Sequence, residues 1–364
     1  MGDITSTLNS NSSGQETSDR QPSAGNSGQF VALLVGVLVV MLLASTFSEA
    51  WHSYRNTIAS AERETFNAQR LLAEHTARTF EAARLALEAA VELQNGLHDT
   101  SKSDDEIYEL LRAIHGRSPV LGAIGWTDAA GNRLHSSHFR NPAPPLNIAD
   151  QEAFKIHAEA LHSGLHVASP IRSKLTGEWI IPVSRRLDDR DGRFAGIVQV
   201  LMRLSYFADF YRTINLGQER SVVLWRRDGA IMVSVPGGEG WYGKSVASSA
   251  LFRESVPQQG ASVYRGKSPI DGLARIVSYG EVPGLPLVVG AAVSEREVLV
   301  PFYAAQLTQT IQVALMIVVL AIGSGVLTKV LKRESKAARA VAEKSHLLEA
   351  TFTTIGNAIA VFDR

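Results

Sequence analysis

Two long stretches of the chain carry no charge at all. Gln21–Ser48 is one, and its core, Phe30–Phe47, is almost wholly apolar. Val298–Thr328 is the other, with Ile311–Leu327 as its apolar heart and Gln309 and Gln312 diluting its start. Each supplies the roughly 20 residues that a helix needs to cross about 30 Å of hydrocarbon. The pattern predicts transmembrane helices over 28–48 and 308–328. A buried helix of a soluble protein is the competing reading of both. A cleaved signal peptide is a further rival for the first, but the basic n-region is missing and the apolar core is long for an h-region.

Between the spans the period changes several times. Glu49 to Leu93 holds neither Pro nor Gly and is dominated by Ala, Leu, Glu and Arg, which predicts one long helix continuing from the first span. Phe66, Ala73, Phe80, Ala83, Leu87 and Ala90 form one stripe on it, and Tyr54, Ile58, Ala61, Ala68 and Leu72 begin a second. Either one stripe packs on the domain and the other on a partner subunit, or both form a single broad core-facing stripe. Asn95-Gly96 ends this helix, and a shorter one is predicted over Asp104–His115.

Strands follow at Val120–Thr127 and Arg133–Ser137 around the turn Asp128-Ala-Ala-Gly131, then a helix over Asp150–His162. The stretch Ile181–Tyr211 reads as strand, tight turn, strand and short amphipathic helix. Its turn is Asp188-Asp-Arg-Asp-Gly192, and Gly196 marks a bulge or a close backbone approach. The order then recurs: Ser221–Trp225, Arg227-Asp-Gly229 and Ala230–Val235 repeat strand, turn, strand. Leu251–Val256 is the expected covering helix, with strands at Gly260–Tyr264, Ala274–Tyr279 and Leu287–Val293. Two tandem copies of one small antiparallel α+β module account for this order.

Charge orients the chain. Lys329, Lys332, Arg333, Lys336 and Arg339 follow the second span, opposed only by Glu334, whereas Glu295, Arg296 and Glu297 precede it. Basic flanks stay in the cytoplasm, so both termini are expected inside and residues 49–307 outside. Over the 364 residues, 36 basic side chains balance 36 acidic ones, so no nucleic-acid or polyanionic partner is expected. Cysteine is absent, which removes disulfides, thiolate catalysis and cysteine-bound zinc. Residues 1–27, rich in Ser, Asn, Gly and Gln, are expected to be a disordered cytoplasmic tail.

Several short motifs then point one way together. They are Ser184-Arg-Arg186, Asp191-Gly-x-Phe-Ala-Gly196, Tyr206-Phe207 with Phe210-Tyr211, and Leu216-Gly217. Leu224-x-x-Arg227-Asp-Gly229, Asp271-Gly272 with Arg275, and Pro286-Leu-Val-Val289 complete the set. Over residues 50–305 the chain resembles the double Cache, PAS-like sensor domains that precede diguanylate cyclases and histidine kinases. The resemblance implies an α+β membrane protein, with two transmembrane helices flanking two tandem PAS-like antiparallel-sheet modules on a long N-terminal helix. Its parts would be the helix 49–96, a membrane-distal module 97–211 and a membrane-proximal module 212–303. A signalling helix 329–348 and an incomplete PAS start at 349–364, a lead-in helix and one strand, would follow the second span. The last part implies either a truncated chain or a gene that has lost its remainder.

The family binds small ligands mostly in the distal module, behind a helix motif Asp-Arg-x-Tyr-Phe. Here that motif stands as Asp150-Gln-Glu-Ala-Phe154. Gln151 offers only neutral hydrogen bonds, so a carboxylate ligand would draw its charge partner from Arg185 or Arg172. The candidate ligand-binding residues are Trp126, His135, Asp150, Phe154, Trp179, Ser184 and Arg185, aromatic walls with a few polar anchors. Ordinary core packing for the aromatics, and a helix N-cap for Asp150, are the bland alternatives.

His135, His138, His157, His162 and His166 gather in one region, but Gly164 breaks the spacing that His162 and His166 would need, and no metal site is expected. His346 is followed by Leu347-Leu348 rather than an acidic residue and Arg, so it is not expected to accept phosphate. No GGDEF-type, kinase or P-loop motif is present; catalytic residues and cofactors are expected to be none. The expected function is an inner-membrane receptor, pairing as a homodimer, that senses a small molecule outside and drives a cytoplasmic output. The alternatives are the sensory end of a histidine kinase or diguanylate cyclase, a stand-alone binding protein acting on a downstream partner in trans, and an inert relic.

Overall fold

A computed structural model describes residues 26–96, 102–159, 164–256 and 260–362. The expected tail before residue 26, and His162, lie outside them. The chain divides into two compact units, Ser53–Tyr303 and the pair Met1–His52 with Ala304–Arg364.

Helix α1 runs over Asn26–Gly96 and α5 over Glu295–Phe362. Both are long and apolar enough to cross a membrane, and their most apolar windows are unburied. Within the helical unit the two segments touch: a Cβ placed on Gly28 would lie 3.2 Å from Cγ2 of Thr328. The strand expected near the C-terminus is helical instead, since α5 continues to Phe362. A helix satisfies its own backbone groups, whereas a lone strand needs a sheet edge.

The unit Ser53–Tyr303 is α+β, with two antiparallel sheets. Strands β1 (Leu121–Thr127), β2 (Arg133–Ser136), β3 (His166–Val167), β4 (Ile171–Arg172), β5 (Trp179–Asp188) and β6 (Phe194–Arg203) form the first. Its order is β2-β1-β6-β5-β3, with β4 also on β5. Strands β7 (Ser221–Arg226), β8 (Ile231–Val235), β9 (Ser262–Lys267), β10 (Ala274–Glu281) and β11 (Leu287–Ser294) form the second, ordered β8-β7-β11-β10-β9. The two orders correspond strand for strand, as the repeated pattern predicts. The pair β3 and β4 was not legible, because two residues show no period.

Three short helices complete the unit: α2 (Asp104–His115), α3 (Glu152–Glu159) and α4 (Leu204–Thr213). Ser103 and Glu106 close a capping box at the start of α2, which sets its first residue. The covering helix expected at Leu251–Val256 is a π-helical turn, Leu251–Ser255. The β5–β6 hairpin turns on Gly192 at φ +75°, and the Asp189 carboxylate accepts the amides of Asp191 and Arg193. Gly196 sits at φ +135°, where a Cβ would stand 2.0 Å from the carbonyl of Thr127. The close approach expected there is real, and only glycine permits it.

One continuous core runs through the unit. Ile58, Ala61, Ala68, Leu72, Ala73, Phe80, Ala83, Leu87 and Ala90 of α1 all join it, together with Ile181, Val183, Val198, Val200 and Met202 of the first sheet. Leu224, Val289, Ala291 and Val293 of the second sheet belong to the same cluster. Most of both sequence stripes of α1 therefore lies on a single broad face buried within one chain, while Phe66 is half-buried and outside the cluster. Two side-chain hydrogen bonds fix its register: Thr65 Oγ1 with Ser278 Oγ at 2.7 Å, and Thr76 Oγ1 with Tyr211 Oη at 2.9 Å. Between the sheets, Arg226 pairs with Glu152, Arg172 with Glu239 at 3.1 Å, and the rings of Trp179 and Tyr242 meet edge to face at 5.4 Å.

Candidate functional site

Strand β1 reads Leu-Gly-Ala-Ile-Gly-Trp-Thr, and its small residues decide where space opens. Gly125 lies opposite Gln199 on one side and Ser136 on the other, while Ala123 faces Leu201. These residues share the sheet face turned away from the α1 core, because the intervening Ile124 and Val198 belong to that core. A cavity of about 720 Å³, counting its open mouth, remains above the sheet, and Gly125 on its floor lets β2 approach so closely that a Cβ would stand 2.7 Å from the His135 carbonyl. Phe139, Leu146 and Ile148 wall it, and the segment Ser173–Glu178 borders its mouth.

Two residues lining this cavity each carry a buried polar atom with no partner among the described residues. Arg133 stands opposite Thr127 at the end of β1. Its Nη2 donates to the carbonyl of Pro144 and its guanidinium lies 5.2 Å from the Phe139 ring, yet Nη1 is buried without an acceptor. Burial depresses its affinity for a proton, and among the described residues no carboxylate pairs with it. Gln199 is buried in the sheet, and its Oε1 receives no donor. Each unsatisfied group costs about 1–3 kcal/mol, more for a charged one. Arg203 and the exposed Glu178 also line the space. A cation, an acceptor and a carboxylate around an apolar hollow suit a small molecule with both an anionic oxygen and an N–H donor.

The seven residues expected from sequence are not brought together. Trp126 and His135 are cross-strand partners, ring centroids 5.3 Å apart, on the opposite face with Val198. Trp126 belongs to the buried core and is the one of the seven that also lines this cavity. Arg185 pairs with Val198 and so shares that far face, and Trp179 meets Tyr242 at the other sheet. Ser184 is on the cavity face but fully buried, its Oγ 3.1 Å from His157 Nε2 beneath α3. Phe154 packs with Ile148 and Ile197, behind the cavity wall. Asp150 holds Lys174 at 3.2 Å and thereby ties down the mouth segment. Arg172, the other cation considered, is engaged by Glu239.

Arg133 and Gln199 escaped the sequence reading because only the strand register places them. The signal was there only in part: two glycines in a seven-residue strand mark close approaches, but at three residues apart they name no single face.

A family profile described as a histidine kinase sensor domain, dCache_1-like, matches residues 204–292. Among solved structures, the extracellular domain of rpHK1S-Z16, designated a histidine kinase, is 32% identical. That match covers 67% of this chain and 98% of that one, at a TM-score of 0.60. The chain therefore belongs to the dCache_1-like sensor domains. The periplasmic sensory domain of the Campylobacter jejuni chemoreceptor Tlp1 has the same fold at 11% identity and a TM-score of 0.55, over 67% of this chain and 99% of that one. So does the ligand-binding domain of the Pseudomonas fluorescens chemoreceptor CtaA, solved with L-isoleucine. Its identity is 17% and its TM-score 0.50, over 68% of this chain and 98% of that one. No curated protein matches the chain.

Proposed function

We propose that this protein is an inner-membrane receptor that binds a small zwitterionic or anionic molecule in the first-sheet cavity and relays its presence across the membrane. The observation that carries this reading is the buried, unpartnered pair of Arg133 Nη1 and Gln199 Oε1 on one cavity. A free carboxylate would satisfy the first and an ammonium or amide the second. The CtaA domain of the same fold holds L-isoleucine, which has both groups.

In this reading the two sheets are PAS-like modules on the long helix α1, the first distal to the membrane and the second proximal. The two apolar helical segments span the bilayer, and the basic cluster Lys329–Arg339 holds the C-terminal side in the cytoplasm. The output is a histidine kinase, of which this chain is the sensory part or which it drives in trans, by likeness to rpHK1S-Z16. A ligand moves such a receptor only by its differential affinity for two states.

The test is a thermal-shift screen of the full chain in lipid nanodiscs against amino acids, organic acids and amines. A ligand at about 100 times its Kd adds roughly 2.7 kcal/mol and raises the melting temperature. Arg133→Met should abolish the response to every carboxylate hit. Hits that survive both Arg133→Met and Gln199→Leu would show that this cavity is not the site.

A further inference from the structure

The second sheet has a cavity of its own. It lies above the same face as in the first sheet, holds about 420 Å³ counting its mouth, and is covered by Leu251 and the turn Ser268–Ile270. The register explains the space: Gly290 faces Val223 and Tyr279, Ala292 faces Ser221 and Val277, and Gly266 faces Arg275. Small residues thus line the floor, and Val223, Leu251, Ile270 and Val277 make the walls apolar.

Trp225 closes one side. It is 5% exposed, and its ring is seated over Gly290, where a Cβ would stand 2.5 Å away. Its Nε1–H is buried and finds no acceptor among the described residues. The charges nearby call for no counter-ion. Arg275, 3% exposed, is closed by the Asp271 carboxylate at 2.5 Å and by the carbonyl of Glu219, and Lys267 is exposed at the rim. A charged ligand would be desolvated in the interior of this cavity with no charged partner deeper than the rim lysine.

We propose that this cavity is a second ligand site, for a small, neutral, mostly apolar molecule with one acceptor oxygen, such as a cyclic ketone. The oxygen accepts the Trp225 N–H while the hydrocarbon fills the space between Leu251 and Val277. The site is independent of the first-sheet cavity, and its chemistry differs: its unpartnered buried group is an indole N–H, and its only unpaired charge, Lys267, sits in solvent at the rim.

The test uses the full chain in nanodiscs with 5-fluorotryptophan at its five tryptophans, followed by fluorine NMR with cyclohexanone as the probe. Trp225→Phe assigns the Trp225 signal, and Trp51, in the helical unit, reports partition into lipid. A saturable shift of the Trp225 signal is expected, lost in Ala292→Leu, which fills the floor, and unchanged in Arg133→Met. Should Ala292→Leu disturb the other tryptophans, Ile270→Trp narrows the mouth instead. Methylenecyclohexane, the same shape without the oxygen, should bind about tenfold more weakly. No Trp225 shift, a shift that survives both filling variants, or equal affinity for the hydrocarbon would each overturn the proposal.

Discussion

The two sheets share a strand order and a core, yet they treat the outer face differently. In the first, the β1 position at the centre of that face is Gly125, and the space above it is rimmed by Arg133 and Gln199 with unmet hydrogen bonds. In the second, Trp225 occupies the corresponding strand and fills the space over Gly290, backed edge to face by Phe252 at 5.7 Å. One fold therefore makes a polar hollow or an apolar niche by the choice of residue on one strand. The core side, where Ile124 and Leu224 both have no exposed surface, hardly differs. Packing constrains the inner face of each sheet, and the outer face is free to vary.

The strongest way to break the comparison is Trp225→Ala, which should turn the second sheet's niche into an open hollow. A buried Trp→Ala costs about 3–5 kcal/mol, measured by denaturant unfolding. Next is Leu72→Ala in the shared core, at about 2–5 kcal/mol. Because one cluster joins both sheets to α1, fluorescence of Trp126, in that cluster, and of Trp225, in the separate cluster on the outer face of the second sheet, should report the same lowered midpoint. Separate midpoints would mean two independent cores.

Arg133→Met should act in the other direction. Removing the buried, unsatisfied Nη1 recovers about 1–3 kcal/mol, more than the exposed Nη2 bond to Pro144 contributes, so the empty protein becomes more stable while carboxylate binding is lost. A destabilised variant would mean that Arg133 serves the fold. The smallest effect concerns the link between the sheets. Glu152 hydrogen-bonds His166 at 3.3 Å, accepts the amide of Ser169 at 3.0 Å and pairs with Arg226. These contacts, His166 foremost, hold its carboxyl well below the usual range. A depressed folded pKa contributes stability above the unfolded value of about 4.3, lost as pH falls below it. With the side chain 40% exposed, solvent screening limits this to about 1 kcal/mol. Glu152→Gln should therefore lower stability slightly at neutral pH and leave it unchanged in strong acid, as read from paired melts.

Much of the fold was legible because it repeats and because its periods are clean. The boundaries of α2 follow from Ser103 and Glu106, and the β5–β6 turn follows from Asp189 and Gly192. The site was far less legible. Trp126 and His135 were chosen for their chemistry, but they pair with each other across β1 and β2, Trp126 in the core and His135 4.0 Å from Asp104 of α2. Trp179 was chosen as a pocket wall and spends its ring on Tyr242.

By itself the chain's sequence determined the two apolar spans, the long polar-and-apolar helix after the first, and the doubled strand–turn–strand order. Each of these depends on residues close together in the chain, where hydrophobic period and turn chemistry act directly. Tertiary structure alone decided which face of each strand opens into a cavity, and that Arg133 and Gln199, far apart in sequence, line one hollow, each with one buried atom unsatisfied among the described residues. Register is the reason: a shift of one residue reverses every side chain on a strand, and register is set by pairing across the sheet rather than along the chain.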